Sequence, residues 1–308
     1  MYYNIFAKSK QVIKMYKTIK PFIKWAGGKS KLLNEIRKKY PQKINKYCEP
    51  FVGGGAVLLD VLANFNPREI LINDINPELI NTYKQIQNNV DFLISILSEL
   101  QKSYWNASEK QRKKIYLKVR ESFNDNIVNG YKDKCIEMAA LFIFLNKTCF
   151  NGLYRVNSKG LFNVPIGSYK KPLICDSENL KLIGNLLHNV EINCGDYTDC
   201  SKFIDNNTFV YIDPPYRPLT ETSSFTSYTP NKFNDNEQII LHKFICEITA
   251  KGAKMVASNS DPKNINENDD FFDRLYERFN IQRVFASRNI NSKANLRGCI
   301  SELLISND

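Results

Sequence analysis

Histidine is almost missing from this chain: His188 and His242 are the only two in 308 residues. The eight cysteines are scattered, none in a Cys-x-x-Cys pair, and the closest two, Cys194 and Cys200, have no histidine company. A Cys/His metal site is therefore not expected, and reduced structural thiols are. Gly-x-x-x-x-Gly-Lys-Ser/Thr is absent, and Lys24-Trp25-Ala26-Gly27-Gly28-Lys29 is too short and glycine-poor to replace it, which argues against a P-loop ATPase. Gly-x-Gly-x-x-Gly is absent too, so a dinucleotide pyrophosphate is not the natural guest. No apolar run reaches the length of a membrane span, and the basic N-terminal stretch lacks the apolar core of a signal peptide. A cytoplasmic protein without membrane contact is expected.

Acidic residues are scarce in two particular places. Residues 1–46 hold 13 Lys/Arg against Glu35 alone, and residues 102–171 hold 14 against five acids, within a chain of net charge +11. The rest is therefore acidic, and the basicity is local. Lysine enrichment from a biased gene composition would spread evenly. Two basic segments instead suggest a surface facing a polyanion.

The hydrophobic pattern is that of an α/β protein with an interruption. Strands are expected at 47–51, 69–74, 190–194, 208–213, 253–259, 281–287 and 299–306. Pro77 fits the first turn of a helix, and Ser30 is a plausible N-cap for a helix reaching about Tyr40. Helices are also expected from Ala56 and near 177–188, 235–250 and 267–278. Between residues 88 and 175 the βα alternation stops. Helical patterns run through 89–103, 109–123 and 133–147, followed by a Gly/Asn/Ser-rich stretch at 151–171. Two regions follow: 1–87 with 176–308 as one α/β domain, and 88–175 as a mostly helical, basic insertion.

Chemistry concentrates at strand ends. Thr208 to Ile212 is an apolar, β-branched and aromatic run that ends in Asp213-Pro214-Pro215-Tyr216. Two prolines stop the strand and force an extended turn. A carboxylate, the exposed Pro214 carbonyl and an aromatic ring then share one sheet edge, where ligands of open α/β sheets bind. Such a turn suits a planar ring bearing an amine, with Asp213 and the Pro214 carbonyl accepting N–H bonds and Tyr216 stacking on the face. Gly53-Gly54-Gly55 lies between a strand and a helix, and Asp74 ends the next strand about 20 residues on, where an acid commonly binds ribose hydroxyls. Asp196 ends a third strand and either reads an adenine amino group or caps the following turn.

The ordered series of motifs resembles the Dam-type (α-group, D12 class) DNA adenine-N6 methyltransferases over about residues 20–305. It runs from Phe22-Ile23-Lys24-Trp25-Ala26-Gly27-Gly28-Lys29 through Glu49-Pro50-Phe51-Val52-Gly53-Gly54-Gly55 and Asn73-Asp74-Ile75-Asn76. Phe150-Asn151-Gly152-Leu153-Tyr154-Arg155, Phe162-Asn163-Val164-Pro165 and Gly195-Asp196-Tyr197 come next. Asp213-Pro214-Pro215-Tyr216, Phe225-Thr226-Ser227-Tyr228, Ser258-Asn259-Ser260 and Arg297-Gly298-Cys299-Ile300-Ser301-Glu302-Leu303-Leu304 complete it. The first 17 residues match nothing in the family.

The resemblance implies a Rossmann-like sheet of about seven strands binding S-adenosyl-L-methionine, without a metal, and a target-recognition domain at 88–175. It assigns Trp25, Lys29, Phe51, Gly53, Gly55, Asp74, Asp196, Tyr197 and Asp213 to the cofactor, with Asp213, Pro214, Pro215 and Tyr216 in the catalytic turn. It assigns Lys24, Phe150, Asn151, Gly152, Leu153 and Arg155 to double-stranded DNA. Phe150 would stack between bases, with Asn151 supporting it, and Leu153 and Arg155 would read base edges. Phe150 stands where many relatives carry Tyr, which keeps the stacking face and removes a hydroxyl. GATC is the expected target, in a restriction-modification or host/phage methylation role, and the protein is expected to be a monomer, a dimer being the alternative. The competing readings are N4-cytosine methylation, which needs the same amine geometry, and a catalytically silent DNA-binding module.

Overall fold

The computed structural model describes residues 19–217, 233–287 and 299–307. Its helices of five residues or more are α1 (Leu33–Arg37), α2 (Ala56–Phe65), α3 (Pro77–Asn106), α4 (Glu109–Asn129), α5 (Cys135–Thr148), α6 (Ser177–Leu187), α7 (Asp235–Ala250) and α8 (Phe271–Leu275). Its strands are β1 (Lys46–Glu49), β2 (Glu69–Asp74), β3 (Glu191–Cys194), β4 (Thr208–Ile212), β5 (Lys254–Ser260), β6 (Asn280–Ser287) and β7 (Cys299–Ser306). The chain divides into two compact units, one comprising Met1–Gly28, Gly53–Asn66 and Asn76–Ile192, the other Lys29–Val52, Pro67–Ile75 and Asn193–Asp308. The expected 88–175 interval lies within the first unit, which also takes in the glycine turn, α2 and the whole of α3.

The sheet has seven strands in the order β3-β2-β1-β4-β5-β7-β6. β1 runs parallel to β2 and β4, and β4 runs parallel to β5. β7 is antiparallel to both β5 and β6. The expected mixed α/β sheet is present, with its topological switch between β1 and β4. At such a switch the loops leave in opposite directions and open a crevice outside the carboxyl ends of the strands. β4 is buried at every position, as a central parallel strand must be. Val210, Ile212, Met255, Ala257, Leu303 and Ile305 pack with Leu241, Phe244, Ile245 and Ile248 of α7 into one core.

The other unit is helical. Asn76 caps α3, its side chain accepting from the Leu79 amide at 2.8 Å, and Pro77 opens the first turn. Asn89 has non-helical φ −138° and ψ 32° inside α3, so the pattern expected to start at 89 is the second half of a kinked helix. A Ser108–Gln111 capping box starts α4. α5 is buried from Met138 through Asn146, which its continuous apolar sequence requires.

Two expectations about helices need correction. Ser30 caps no α-helix: residues 29–31 form a 3-10 turn, and the short α1 is preceded by Leu32 without a side-chain cap. The helix expected over 267–278 is the five-residue α8, because Asp261, Asn264 and Asp269 hold the preceding residues in turns.

Asp261 is the polar anchor at the β6–β7 side of the sheet. It is 1% exposed and accepts from Arg283 Nε at 2.9 Å and Ser301 Oγ at 2.7 Å. Asp261→Ala would remove the acceptor that Arg283 and Ser301 share, leaving Arg283 with Asp273 and Ser301 Oγ with Asn264. It is expected to lower the unfolding free energy in urea denaturation by about 3–5 kcal/mol, the usual cost of breaking a buried ion pair from one side. A loss below about 1 kcal/mol would show the network to be dispensable.

Candidate functional site

The strand-end turn is built as its sequence demands. Asp213 follows β4 directly, and both of its oxygens are engaged. Lys29 Nζ lies 2.7 Å from Oδ1 and 2.8 Å from Oδ2, and Ser258 Oγ donates to Oδ1 at 2.9 Å. Lys29 is 2% exposed, and its ammonium stands 4.8 Å from the centre of the Tyr216 ring. The Tyr216 hydroxyl donates to Glu302 Oε2 at 2.6 Å, and that carboxylate lies 4.0 Å from Lys29. Burial pushes the Asp213 carboxyl up, while Lys29 and Ser258 pull against it and Glu302 adds to the rise. The Tyr216 phenol is also raised, by burial and then by the charges of Asp213 and Glu302.

Three further side chains, those of Gln238, Asn259 and Arg217, fix the turn. Gln238 Nε2 donates to the Pro215 carbonyl at 3.2 Å, and is itself held by Asn259, whose Nδ2 donates to Gln238 Oε1 at 3.1 Å. Arg217 bonds both oxygens of Asp235, at 2.6 and 3.0 Å, and Asp269 at 2.7 Å. Ser258, Gln238, Arg217 and Glu302 have no expected role in the sequence reading. Glu302, a single charge inside the apolar β7 sequence, was the visible signal. Lys29, which the resemblance assigns to the cofactor, is brought against Asp213.

On the other side of the switch, the ends of β1, β2 and β3 are stitched together. Asn73 Nδ2 donates to the carbonyls of Pro50 at 3.1 Å and Gly195 at 3.0 Å. The Val52 amide donates to Asn73 O at 2.9 Å, and the Gly195 amide to Asp74 O at 3.2 Å. Asp74 and Asp196 are thereby carried on neighbouring turns. The Phe51 and Tyr197 rings lie 5.0 Å apart at 30° beside them. Asn73 Oδ1 is buried without a hydrogen-bond partner among the described residues. Asp196 caps the turn after β3, its Oδ1 accepting from the Thr198 amide at 2.9 Å. Carboxylates at two strand ends, an apolar ring and an orphaned buried acceptor are a donor set that fits an adenosine.

The glycine turn and the presumptive DNA readers belong to the helical unit. Gly53 has φ +48°, and a Cβ there would come 2.8 Å from Trp25 Cδ1. Gly55 has φ +72°, and a Cβ there would overlap the Tyr83 hydroxyl, which donates to Gly53 O at 3.0 Å. Both glycines are thus required by backbone conformation and by close packing.

Residues 149–167 fold back on themselves. The Phe150 amide donates to Pro165 O at 2.9 Å, the Asn163 amide to Arg155 O at 3.1 Å, and the Gly167 amide to Thr148 O at 2.8 Å. Asn151 (φ +57°) and Gly152 (φ +66°) turn the chain and leave Phe150 51% exposed. Arg155 Nε donates to Asn163 Oδ1 at 2.8 Å, which orients the guanidinium. Buried Asn146 ties Lys24 to the same hairpin: its Oδ1 accepts from the Lys24 amide at 2.9 Å, and its Nδ2 donates to the carbonyls of Lys24 at 2.8 Å and Gly152 at 3.0 Å. Lys24 Nζ reaches the Tyr169 hydroxyl at 3.2 Å. The sequence-predicted readers Lys24, Phe150, Asn151, Gly152, Leu153 and Arg155 are therefore brought together. Asn146 and Tyr169 were missed, because their spacing from Lys24 exceeds 100 residues. The Phe225–Tyr228 motif and Arg297–Gly298 lie outside the described residues.

Comparison with known proteins fits this geometry. A profile of the D12 class N6 adenine-specific DNA methyltransferases matches residues 25–290. The chain is 50% identical to the type II methyltransferase M.MjaIII of Methanocaldococcus jannaschii, over 94% of this chain and 99% of that one. It is 38% identical to the type II methyltransferase M1.LlaDCHI of Lactococcus lactis subsp. cremoris, over 94% and 95%. It is 33% identical to the DNA adenine methylase of Escherichia coli K12, over 92% and 93%. The chain belongs to the D12 class of N6 adenine-specific DNA methyltransferases. It is an enzyme that methylates adenine in DNA, the family implies S-adenosylmethionine as methyl donor, and the readings as a cytosine methylase or a silent binding module fall away.

One charge in the helical unit is held at a cost. Lys147, three residues before Phe150, is pushed down to about 8, first by burial and then by Lys20 and Lys24, with Asp176 opposing. Its folded pKa lies below the ordinary value of about 10.4. The unfolded chain therefore binds more protons between those two pH values, and stability rises across that window. Lys147→Met is expected to stabilise the protein by about 1–3 kcal/mol below pH 8, with the gain vanishing above about pH 10.4. Urea midpoints at pH 7 and 10.5 measure it. Equal effects at both pH values would mean that packing, not charge, sets the cost.

Proposed function

We propose that Asp213-Pro214-Pro215-Tyr216 receives a flipped adenine from duplex DNA and prepares its N6 for methylation. The observation that carries this is the Lys29 ammonium, bonded to Asp213 and centred over the Tyr216 ring. An amino group already rests where an exocyclic amine would need to rest, with an acceptor carboxylate at its edge and an aromatic face below.

The chemistry asks for this arrangement. Adenine N6 is a poor nucleophile because its lone pair is delocalised into the ring, and inside a duplex it is out of reach. Asp213 and the Pro214 carbonyl accept its two hydrogens, favour a pyramidal nitrogen and stabilise the positive charge that develops on it. Tyr216, fixed by Glu302, sets the plane of the base. Lys29 yields its hold on Asp213 as N6 arrives. The cofactor, when bound, supplies an electrophilic methyl group in line with N6. Positioning supplies much of the acceleration. Asp213 acts as an acceptor and not a strong base, because the methylated nitrogen is acidic enough to lose its proton afterwards.

Asp74 is assigned to the ribose, Asp196 to the cofactor adenine, and Phe51 and Tyr197 to its apolar flank. Trp25, Gly53 and Gly55 keep the cofactor role that the family resemblance implies. In the helical unit, residues 88–175 are assigned to target recognition. Phe150 is the exposed wedge that enters the base stack, Leu153 and Arg155 read base edges, and Lys24 adds a DNA contact near the cofactor loop. Lys147 keeps its costly charge for a DNA phosphate. GATC is the target we infer, in a restriction-modification or host/phage methylation role, by a monomeric cytoplasmic enzyme.

Asp213→Ala is expected to abolish methyl transfer from labelled S-adenosylmethionine while leaving duplex affinity within about threefold; retained activity would overturn the role of the turn. Methylome sequencing of a host expressing the protein is expected to report N6-methyladenine in GATC, and methylation confined to another sequence would refute the GATC assignment. Arg155→Ala should relax base choice at one position, at about 1–3 kcal/mol for a bidentate contact. A loss uniform across sequences would mark Arg155 as a phosphate contact instead.

A further inference from the structure

Tyr154 sits between the two presumptive base readers and faces the other way. Leu153 and Arg155 flank it on the extended arm of the hairpin, where the Asn163 amide bonds Arg155 O and Val156 bridges antiparallel to Phe162. Successive side chains of an extended strand point to opposite faces. Leu153 and Arg155 are accordingly partly exposed, and Tyr154 is 7% exposed.

The buried ring does not simply fill core. It stacks on Trp25 with centroids 5.7 Å apart and planes at 26°, and its far contacts are Phe142 and Phe162. Its hydroxyl donates to Glu78 Oε2 at 3.2 Å, in the first turn of α3. Burial holds the Glu78 carboxyl above its ordinary range. The indole on which Tyr154 stacks is in turn packed along Gly53, where even a Cβ would come within 2.8 Å of it. A single ring therefore links the arm carrying Leu153 and Arg155 to the wall formed by Trp25 and Gly53.

We propose that Tyr154 is a positioning residue that couples engagement of the target bases to the Trp25–Gly53 wall. The proposal rests on the reading above, in which Leu153 and Arg155 touch bases and Trp25 and Gly53 touch the cofactor. Movement of the arm on DNA displaces the Tyr154 ring. The stack transmits that displacement to the indole, because a close-packed aromatic pair moves as a unit. The Glu78 bond fixes the tilt of the phenol. Linkage makes the effect reciprocal: cognate DNA raises affinity for the cofactor by the same factor as the cofactor raises affinity for cognate DNA.

The test measures S-adenosylmethionine affinity by calorimetry with and without a duplex carrying the sequence found by methylome sequencing. The unmodified protein is expected to show a coupling factor of about fivefold or more, the usual lower bound for linked sites. Tyr154→Leu is expected to bring the factor to within twofold of one, whereas Tyr154→Phe, which keeps the stack, retains most of it. A folded Tyr154→Leu protein with the original coupling factor would overturn the proposal, as would a loss of both binary affinities with coupling intact. A second measurement needs no change at Tyr154. In a Trp105→Phe background Trp25 is the sole tryptophan. Its emission should shift on adding the cognate duplex and stay constant with a scrambled one. An identical response to both duplexes would refute the coupling while methylation persists, whereas loss of methylation and of both affinities in the unmodified protein would instead defeat the underlying functional reading.

Discussion

The Lys29–Asp213 ion pair is the constraint around which the carboxyl end of β4 is arranged. A carboxylate placed at the end of a fully buried strand carries a heavy desolvation cost, and one cation with one hydroxyl offsets it. Lys29 brings the glycine-rich loop's last residue to the end of β4, Ser258 brings the end of β5, and Glu302 ties in β7 through Tyr216. Lys29, Ser258 and Glu302, each more than 40 residues from the next, meet at the end of β4 because the half-buried Asp213 charge needs partners.

The same pairing explains how a buried acid remains useful. Groups that are satisfied only within the protein are rigid, and a rigid acceptor costs no reorganisation when positive charge develops next to it. The Lys29 ammonium is a compact charge on a flexible stem, able to leave one geometry for another. Asp213 is thus held in place by a partner that an arriving amine resembles in charge distribution and shape. The Asn73 bonds do a comparable service at the other strand ends, fixing the turns that carry Asp74 and Asp196.

Much of this was legible in the chain. β2 and β7 have the limits that alternation and turn residues predict, because long apolar runs bounded by Gly, Asn and Pro leave the backbone few choices. Asp213, Asp74 and the three glycines were found because strand-end chemistry leaves local signatures. Lys29 is marked by the loop motif, but its contact with Asp213 is set by packing across 184 residues of sequence. Asn146, Tyr169, Ser258 and Gln238 were missed for the same reason. Each is an ordinary polar residue whose importance comes only from what lies opposite. The α8 region was read as too long because its periodicity is outweighed by Asp and Asn side chains that bond their own backbone.

The sequence by itself determined the α/β class, the strand count, the basic helical interval and the chemical identity of the catalytic turn, because these depend on local periodicity, proline and glycine geometry, and charge density. Only the tertiary structure decided that the Asp213 carboxylate is gripped by Lys29, and that Tyr154 turns inward to stack on Trp25. Those pairings are set by packing between distant segments, where burial makes a partner obligatory and the sequence does not say which partner it will be.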